Sequence, residues 1–223
     1  MRLLRHNSSP LMREYEQARP DRALHWRNSR LLALDFEATG LDLRSDDVIS
    51  YGAVPIEHGR MLVGGQAHSF VRPTKPVPPT SSLVHRIRNL DLEGAPDASA
   101  ASEQLISMLT GRALVAHAAW VESAFLNRLL RIHRTKLVAP VIDTAALARA
   151  LDLAPRISTH EPQLEALAQS LGVPVHDPHH ALGDALTTAQ VFLVLVTRLE
   201  RERGRMTIDD LEQLTRLHGL LRP

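Results

Sequence analysis

Two carboxylates at the end of an apolar stretch are the residues of this sequence best placed to do chemistry. Asp35 and Glu37 follow the apolar run 31–34 and precede Thr39 and Gly40. Residues two apart on a strand point to the same face, so both carboxylates would face one spot and repel each other. A hard divalent cation such as Mg²⁺ or Mn²⁺ removes that repulsion. The alternative is a strand whose polar end reaches solvent, and further ligands elsewhere would decide between the two.

Further candidates occur at the start of two predicted helices. Asp184 lies on the first turn of a helix whose neighbouring residues face the core, so its carboxylate needs a partner, which a metal would supply. His179, five residues earlier, is a candidate general base for activating water beside such a metal. Glu122 lies near the start of another helix, where dipole and capping preferences alone would explain a Glu.

The elements that would position these groups fall into two halves. Three predicted strands come first and form an antiparallel meander: Arg30–Phe36, Val48–Ile56 and Met61–Val71. Two short strands then alternate with helices, in the order Ala113–Ala116, helix Ala119–Ile132, Val138–Ile142 and helix Thr144–Leu151. Alternation of strand and helix implies parallel strands joined by crossovers, so the two halves differ in topology.

The remaining helices have recognisable start signals. Asp97 can cap a helix over Ala100–Leu109, and Glu161-Pro162 precedes another with Leu164, Leu167 and Leu171 on its apolar stripe. A long helix begins near His180, and Thr207 with Asp210 resembles a capping box for a helix over Ile208–Leu221. A short helix is predicted over Leu11–Ala18. We divide the chain into a basic N-terminal extension (1–29), a main domain (30–204) and a C-terminal helical extension (205–223).

Composition narrows the class of protein. The 223-residue chain has 44% hydrophobic and 23% charged residues, as in an ordinary globular protein. The absence of cysteine excludes disulfides and thiolate sites, so metal ligands must be Asp, Glu or His. No apolar run approaches the roughly 20 residues that span a bilayer, and the first residues lack a signal-peptide core. We therefore expect a cytoplasmic protein with no membrane partner.

Positive charge is concentrated at one end of the chain. Residues 1–30 contain seven Arg and three acidic residues, although the whole chain has a net charge of only +1. Such an arm would attract a phosphate backbone. A solvated or docked helix with incidental charge explains it equally well.

Three segments of the chain resemble the three motifs of the DEDDh (DnaQ-like) 3′→5′ exonucleases. These segments are Asp35–Leu41, Val115–Leu126 and His179–Asp184, with further similarity at 141–144 and 164–168. The resemblance extends from about Arg30 to Leu199. The family includes the proofreading epsilon subunit of bacterial DNA polymerase III and ribonuclease T.

This resemblance implies an α/β, ribonuclease-H-like fold with a mixed five-stranded sheet and helices on both faces. It also implies two divalent ions, Mg²⁺ or Mn²⁺, and a role for each matching residue. The metal ligands would be Asp35, Glu37 and Asp184, with Glu122 acting through water. His179 would be the base, because the family spacing places four residues between the His and the Asp. The substrate-binding residues would be Thr39, Gly40, Leu41 and His117, with Thr39 and Leu41 contacting the terminal nucleotide.

The implied activity is hydrolysis at the 3′ end of single-stranded DNA or RNA, with release of nucleoside monophosphates. A homodimer or a polymerase-associated partner would also fit the family. Only 4% of the residues are aromatic, so we expect a short recognition length rather than extensive base stacking.

Two positions depart from the family pattern. Glu122 stands where the family has Asp, and Ala118 stands where Asn is common. These departures favour an alternative, namely a catalytically weak nucleic-acid-binding or polymerase-associated module that retains the fold. A His-Asp phosphohydrolase acting on small nucleotides is a third hypothesis, but it needs several His ligands, whereas only His179 and His180 are clustered.

Overall fold

The computed structural model describes residues 9–155 and 160–219, and it is organised around one central strand. Strand β1 (Arg30–Ala38) is apolar on both faces. Leu31 and Ala33 pack into one core, Leu32 and Leu34 pack into the other, and all four are fully buried. A strand that is buried on both sides must lie in the middle of a sheet covered by two layers.

The sheet has the mixed topology that the sequence predicts. Its strands are β2 (Val48–Glu57), β3 (Arg60–Met61), β4 (Ala67–Phe70), β5 (Ala113–Ala116) and β6 (Val141–Asp143). Their order is β3-β2-β1-β5-β6, with β4 also paired to β2. β2 is antiparallel to β1, whereas β5 is parallel to β1 and β6 is parallel to β5. The fold class is therefore confirmed.

Two strand predictions were wrong in extent. The predicted strand Met61–Val71 is divided into β3 and β4 by a 3₁₀ turn at Val63–Gly65, so the sheet has six strands instead of five. Two consecutive glycines favour such a turn because they weaken a strand. β6 begins at Val141 instead of Val138, directly after Pro140, which has no N–H to contribute to a ladder.

Helices cover both faces of the sheet. Their bounds are α1 Pro10–Gln17, α2 Pro79–His85, α3 Ala98–Leu109, α4 Trp120–Ile132, α5 Thr144–Ala150, α6 Leu164–Ser170, α7 Ala181–Arg203 and α8 Ile208–His218. Helices α1, α3 and α4 contribute to the core that contains Leu32, and α5 to α8 contribute to the core that contains Leu31. Because β1 is packed into both cores and α7 into one of them, the C-terminal end of β1 and the start of α7 are fixed relative to each other.

Helix α7 is the principal core helix of the second layer. Within the described residues it is the one helix long and apolar enough to cross a membrane by length and composition, contrary to the expectation that no run would be. Its apolar character has a direct structural cause here, because Phe192, Leu195, Val196 and Leu199 are fully buried in the core beneath β1.

The described parts of the two predicted extensions, 9–29 and 205–219, contribute side chains to the two cores. In α1, Tyr15 is buried and its hydroxyl accepts a hydrogen bond of 3.2 Å from the Val138 N–H. Trp26 lies edge-on to Phe192 of α7, with ring centroids 6.1 Å apart. Thr207 and Asp210 form the predicted capping box of α8. That helix was predicted to reach Leu221, which lies outside the described residues.

Candidate metal centre and active site

Three of the predicted acidic residues converge at one point. Asp35 and Glu37 project from β1 and Asp184 from the first turn of α7, and one carboxylate oxygen of each lies within 4.8 Å of the others. Asp184 is 7% exposed, while Asp35 and Glu37 are half-buried. We call these three residues the acidic cluster.

A glycine allows α7 to approach the sheet at this point. Gly52 of β2 is paired with Asp35, and a Cβ added to it would lie 2.2 Å from the Ala181 carbonyl oxygen. Any side chain at position 52 would therefore push the start of α7 away from β1. The role of Gly52 was not predicted from the sequence, because a glycine within a predicted strand indicates a close approach but not which segment approaches.

A second glycine sets the position of the His179 loop. A Cβ on Gly183 would lie 2.3 Å from the His176 carbonyl oxygen, so only glycine lets the loop fold over the start of α7. In this arrangement the His179 N–H donates a hydrogen bond of 2.9 Å to Asp184 Oδ2. The backbone of the candidate base is thereby attached to one member of the acidic cluster.

The carboxylates of the cluster destabilise one another's charged forms. Burial, followed by the charges of Glu122, Asp184 and Glu37, raises the pKa of Asp35 well above its usual value. Burial and the charge of Asp184 raise the pKa of Glu37 to about 8. Burial is also the main cause that raises the pKa of Asp184 to about 6. Without a cation, the site therefore holds protons at neutral pH.

Glu122 lies beside the acidic cluster but outside the group of three. It is 6% exposed, and among the described residues its Oε2 has no hydrogen-bond partner. Burial and the charges of Asp143 and Glu37 raise its pKa well above the usual value. Its carboxylate is thus buried, has one oxygen without a partner in the described structure, and lies within electrostatic range of the cluster.

The donor set fits a hard divalent ion. All the candidate ligand atoms are carboxylate oxygens, the ligands that Mg²⁺ and Mn²⁺ prefer. In the described part of the chain, Asp184 Oδ1 and Glu122 Oε2 are both buried without a partner. A bound cation would satisfy these oxygens and relieve the repulsion that raises the pKa values.

His179 has an exposed side chain next to this cluster. Its backbone is in the left-handed region, with φ of 62°, and its side chain is 52% exposed. Nε2 lies 3.8 Å from Glu165 Oε1 on the first turn of α6. From the sequence, Glu165 was known only as part of the segment 164–168 that resembles the family, yet its carboxylate is the acidic group paired with the candidate base.

The predicted nucleotide-binding residues form a loop at the end of β1. Thr39 accepts a hydrogen bond of 2.9 Å from the Asp47 N–H and donates one of 3.0 Å to Asp46 Oδ1. A Cβ on Gly40 would lie 2.4 Å from Asp46 Oδ2, so any other residue there would displace the Asp46 carboxylate that binds Thr39. Leu41 is 83% exposed, so its side chain is free to contact a ligand.

His117 is bound on both sides by the protein. Nε2 donates a hydrogen bond of 2.6 Å to the Pro162 carbonyl, and Nδ1 lies 2.8 Å from Thr144 Oγ1. The residue before Pro162, Glu161, accepts from Trp120 Nε1 at 3.1 Å and pairs with Arg149. This network attaches the segment before α6 to α4 and α5.

Arg149 was missed by the sequence analysis. It is fully buried on α5, and its charge is balanced by Glu161. A single Arg within the otherwise small and apolar Thr144–Ala150 was the available signal, because an arginine is buried only with a partner.

Comparison with known proteins identifies similar sequences. An exonuclease family model, RNase_T, matches residues 32–192. The chain is 30% identical over 192 residues to the PolC-type DNA polymerase III of Thermotoga petrophila, which covers 84% of this chain and 13% of that protein. It is 28% identical over 173 residues to DNA polymerase III subunit epsilon of Treponema pallidum, covering 77% of this chain and 79% of the relative. The chain thus spans only a small part of the PolC-type relative.

Solved structures show the same fold. The E. coli exonuclease I complex with a dT13 oligonucleotide has a TM-score of 0.67 and 15% identity to this chain. The match covers 78% of this chain and 42% of exonuclease I. At this level of identity the likeness concerns the fold, and it confirms the predicted ribonuclease-H-like architecture.

Proposed function

Because the chain belongs to the RNase T exonuclease family, we propose that it removes nucleotides from the 3′ end of single-stranded nucleic acid. The products would be nucleoside monophosphates. The observation that carries this proposal is the acidic cluster with His179 attached to it by a backbone hydrogen bond of 2.9 Å. Four buried or half-buried carboxylates without a cation partner are unfavourable in any purely structural role.

We assign two divalent ions, Mg²⁺ or Mn²⁺, to the acidic cluster. Asp35, Glu37 and Asp184 would hold them, and Glu122 would assist through water. When bound, the ions would lower the pKa of a coordinated water and stabilise the charge that develops on the phosphate oxygens.

His179 acts as the general base in this proposal. Its exposed side chain can reach a water molecule at the cluster while its backbone stays fixed to Asp184. Glu165, 3.8 Å from Nε2, stabilises the imidazolium that forms when His179 accepts the proton of the attacking water. Proton acceptance by His179 makes that water a stronger nucleophile towards phosphorus.

The loop after β1 receives the terminal nucleotide. Leu41, exposed at its tip, is suited to apolar contact with the last base. The Thr39 hydroxyl already bonds to Asp46 and Asp47, so its contact to the nucleotide would add to an ordered loop. We assign His117 a supporting part in substrate binding, because both of its ring nitrogens have protein partners.

A second candidate function is a catalytically weak binding module. Glu122 at the Asp position of the motif favours it, as do relatives that are DNA polymerase III proteins. Association with a polymerase, or a homodimer, would suit such a module, and a cytoplasmic location accompanies either function. Calorimetric titration with Mn²⁺ separates the two candidates, because an exonuclease must bind the ion at the acidic cluster.

Degradation of labelled strands tests the proposed activity. Matched DNA and RNA oligomers carrying a 5′ label are incubated with the full chain and Mg²⁺ or Mn²⁺. Progressive shortening with the label retained on the longer product is expected for removal from the 3′ end. Asp35→Asn should abolish it, whereas Asp209→Asn, an exchange of a carboxylate on α8, should not. Release of the label as a mononucleotide in the first products would refute the direction, and intact strands would refute the activity.

A further inference from the structure

A cavity adjoins the acidic cluster. It has a volume of about 250 Å³, and its lining includes Phe70, His85, Arg86 and His179. Asp35, Glu37 and Asp184 do not line it. His179 links the cavity to the acidic cluster, because it lines the cavity while its N–H donates a hydrogen bond to Asp184. A ligand group in this cavity would therefore lie next to the cluster without occupying it.

His85, which lines this cavity, has a hydrogen-bond donor without a partner in the described part of the chain. It is 7% exposed, and its Nδ1 accepts a hydrogen bond of 3.1 Å from the Ile87 N–H. The proton of the neutral ring must then be on Nε2, which has no partner among the described residues. Burial, aided by the nearby His179, lowers the pKa of His85 and keeps the ring neutral at pH 7. A buried donor without an acceptor is unfavourable, and an entering oxygen would correct this.

Arg86 brings a free positive charge to the same lining. It follows α2 with φ of 62° and ψ of 6°, the left-handed conformation in which helices ordinarily end with Gly or Asn. An arginine there is strained, and in the part of the chain that the structure describes its exposed side chain has no ion-pair partner. Arg88, two residues later, is by contrast bound to Asp91 at 2.7 Å. The strain at position 86 is thus not offset by an ion pair of the guanidinium within the described residues.

The charges around the cavity favour an anion near Arg86. Asp91 also lines the cavity, but its charge is neutralised by Arg88. Asp177 is the remaining acidic residue of the lining. A guanidinium and a neutral imidazole donor together match a phosphate group, which accepts hydrogen bonds from both.

We propose that Arg86 and His85 form a subsite for a non-scissile phosphate of the nucleic acid strand. This inference rests on the proposed function, because the scissile phosphate must lie at the acidic cluster and the terminal nucleotide at the loop after β1. In this arrangement the adjoining cavity receives the strand beyond that nucleotide. Contacts of this kind fix the register of a strand without reading its sequence.

Methylphosphonate substitution tests the subsite directly. A series of oligomers carries one uncharged methylphosphonate at the second, third or fourth linkage from the 3′ end, and KM and kcat are measured for the wild type and Arg86→Gln. With unmodified strands we expect Arg86→Gln to raise KM about tenfold, the effect of losing one charged hydrogen bond, with little change in kcat. At one position of the series the wild type should show the same loss, and Arg86→Gln should show no further loss there.

Two further variants separate phosphate binding from structural effects. Arg86→Gly relaxes the strained backbone, so it should raise KM as Arg86→Gln does while leaving the melting temperature unchanged or higher. Arg131→Gln, at the exposed C-terminal end of α4, removes the same charge elsewhere and should leave KM unchanged. Loss of Arg86 should also lower the slope of log KM against log salt by about 0.7, the value for one phosphate contact on a single strand.

The outcomes distinguish this subsite from the proposed function. An unchanged KM in Arg86→Gln, or equal additional losses at every methylphosphonate position, would overturn the subsite while strands are still degraded. A higher inhibition constant for a nucleoside monophosphate, with KM for strands unaltered, would assign the cavity to the free product instead and equally overturn it. If strands are not degraded, the same comparison is made on Kd by fluorescence anisotropy, and a tenfold loss in Arg86→Gln supports the subsite although the proposed activity has failed.

Discussion

Raising the pH of the metal-free chain should lower its stability, and Glu37 should account for much of the loss. Its pKa is about 8 in the folded chain, whereas the ordinary value is 4.5. The folded state therefore holds a proton that the unfolded state releases between these two values. Stability is fully retained below about pH 4.5 and falls as the pH rises towards 8, because the unfolded chain binds fewer protons there.

The size of the effect follows from the same two pKa values. Their difference corresponds to about 5 kcal/mol as an upper bound. Glu37 is half-buried, so solvent screening reduces the expected loss to about 2 kcal/mol. For a chain of this length, about 2 kcal/mol lowers the melting temperature by roughly 4–8 °C.

Glu37→Gln isolates this contribution. Urea unfolding is followed at pH 5 and pH 8 in EDTA, for the wild type, Glu37→Gln and the exposed control Glu93→Gln. The wild type and Glu93→Gln should lose about 2 kcal/mol more than Glu37→Gln over this range. His68, His85 and His117, whose pKa values are lowered by burial, destabilise the fold at low pH in every variant, so they cancel in the comparison. Excess Mg²⁺ should restore the wild type at pH 8. Parallel profiles for Glu37→Gln and the wild type would refute the reasoning.

Three further substitutions test individual parts of the site. His179→Asn should lower kcat about 10²- to 10⁴-fold. Its Mn²⁺ affinity, measured by calorimetry, should be nearly unchanged, because the backbone N–H makes the contact to Asp184. A large loss of Mn²⁺ binding would contradict a role as base. Glu122→Gln should weaken Mn²⁺ binding about tenfold, as expected for a residue that acts through water, and unchanged calorimetric affinity would exclude Glu122 from the site. Ala118→Gly should raise the free energy of unfolding by about 0.5–1 kcal/mol, because Ala118 has φ of 54°. If urea titration instead gives a lower free energy of unfolding, the methyl group of Ala118 stabilises the fold by more than the backbone strain costs.

The acidic cluster could be predicted because its parts follow simple periodic rules. Alternation along β1 places Asp35 and Glu37 on one face, and the helical pattern after His180 places Asp184 on an inward first turn. The structure brings these three carboxylates together. Capping at Asp97 and the capping box of Thr207 with Asp210 were predictable for the same reason, since they depend on neighbours in sequence.

Features that depend on contacts between distant segments could not be predicted in this way. Gly52 matters only because the start of α7 packs against it, and Arg149 is acceptable in the core only because Glu161 reaches it. Neither partner is indicated by local spacing. The start of helix α2 was predicted as part of a proline-rich loop, 72–80, with a possibly helical link only near His85, although proline is favoured at the first turn of a helix.

The position of Glu122 at the start of α4 raises the question of whether it is only a helix-capping residue. Asp91 shows what a capping carboxylate in this chain looks like, since hydrogen bonds to Arg88 lower its pKa to about 2. Glu122 also receives a backbone hydrogen bond at its helix start, and that bond lowers its pKa. Burial and the charges of Asp143 and Glu37 nevertheless outweigh this effect and raise the pKa of Glu122 well above its usual value. A charged carboxylate present only to cap α4 would be more stable if exposed. The burial of Glu122 beside other carboxylates therefore favours a role at the acidic cluster that contains Asp35 and Glu37.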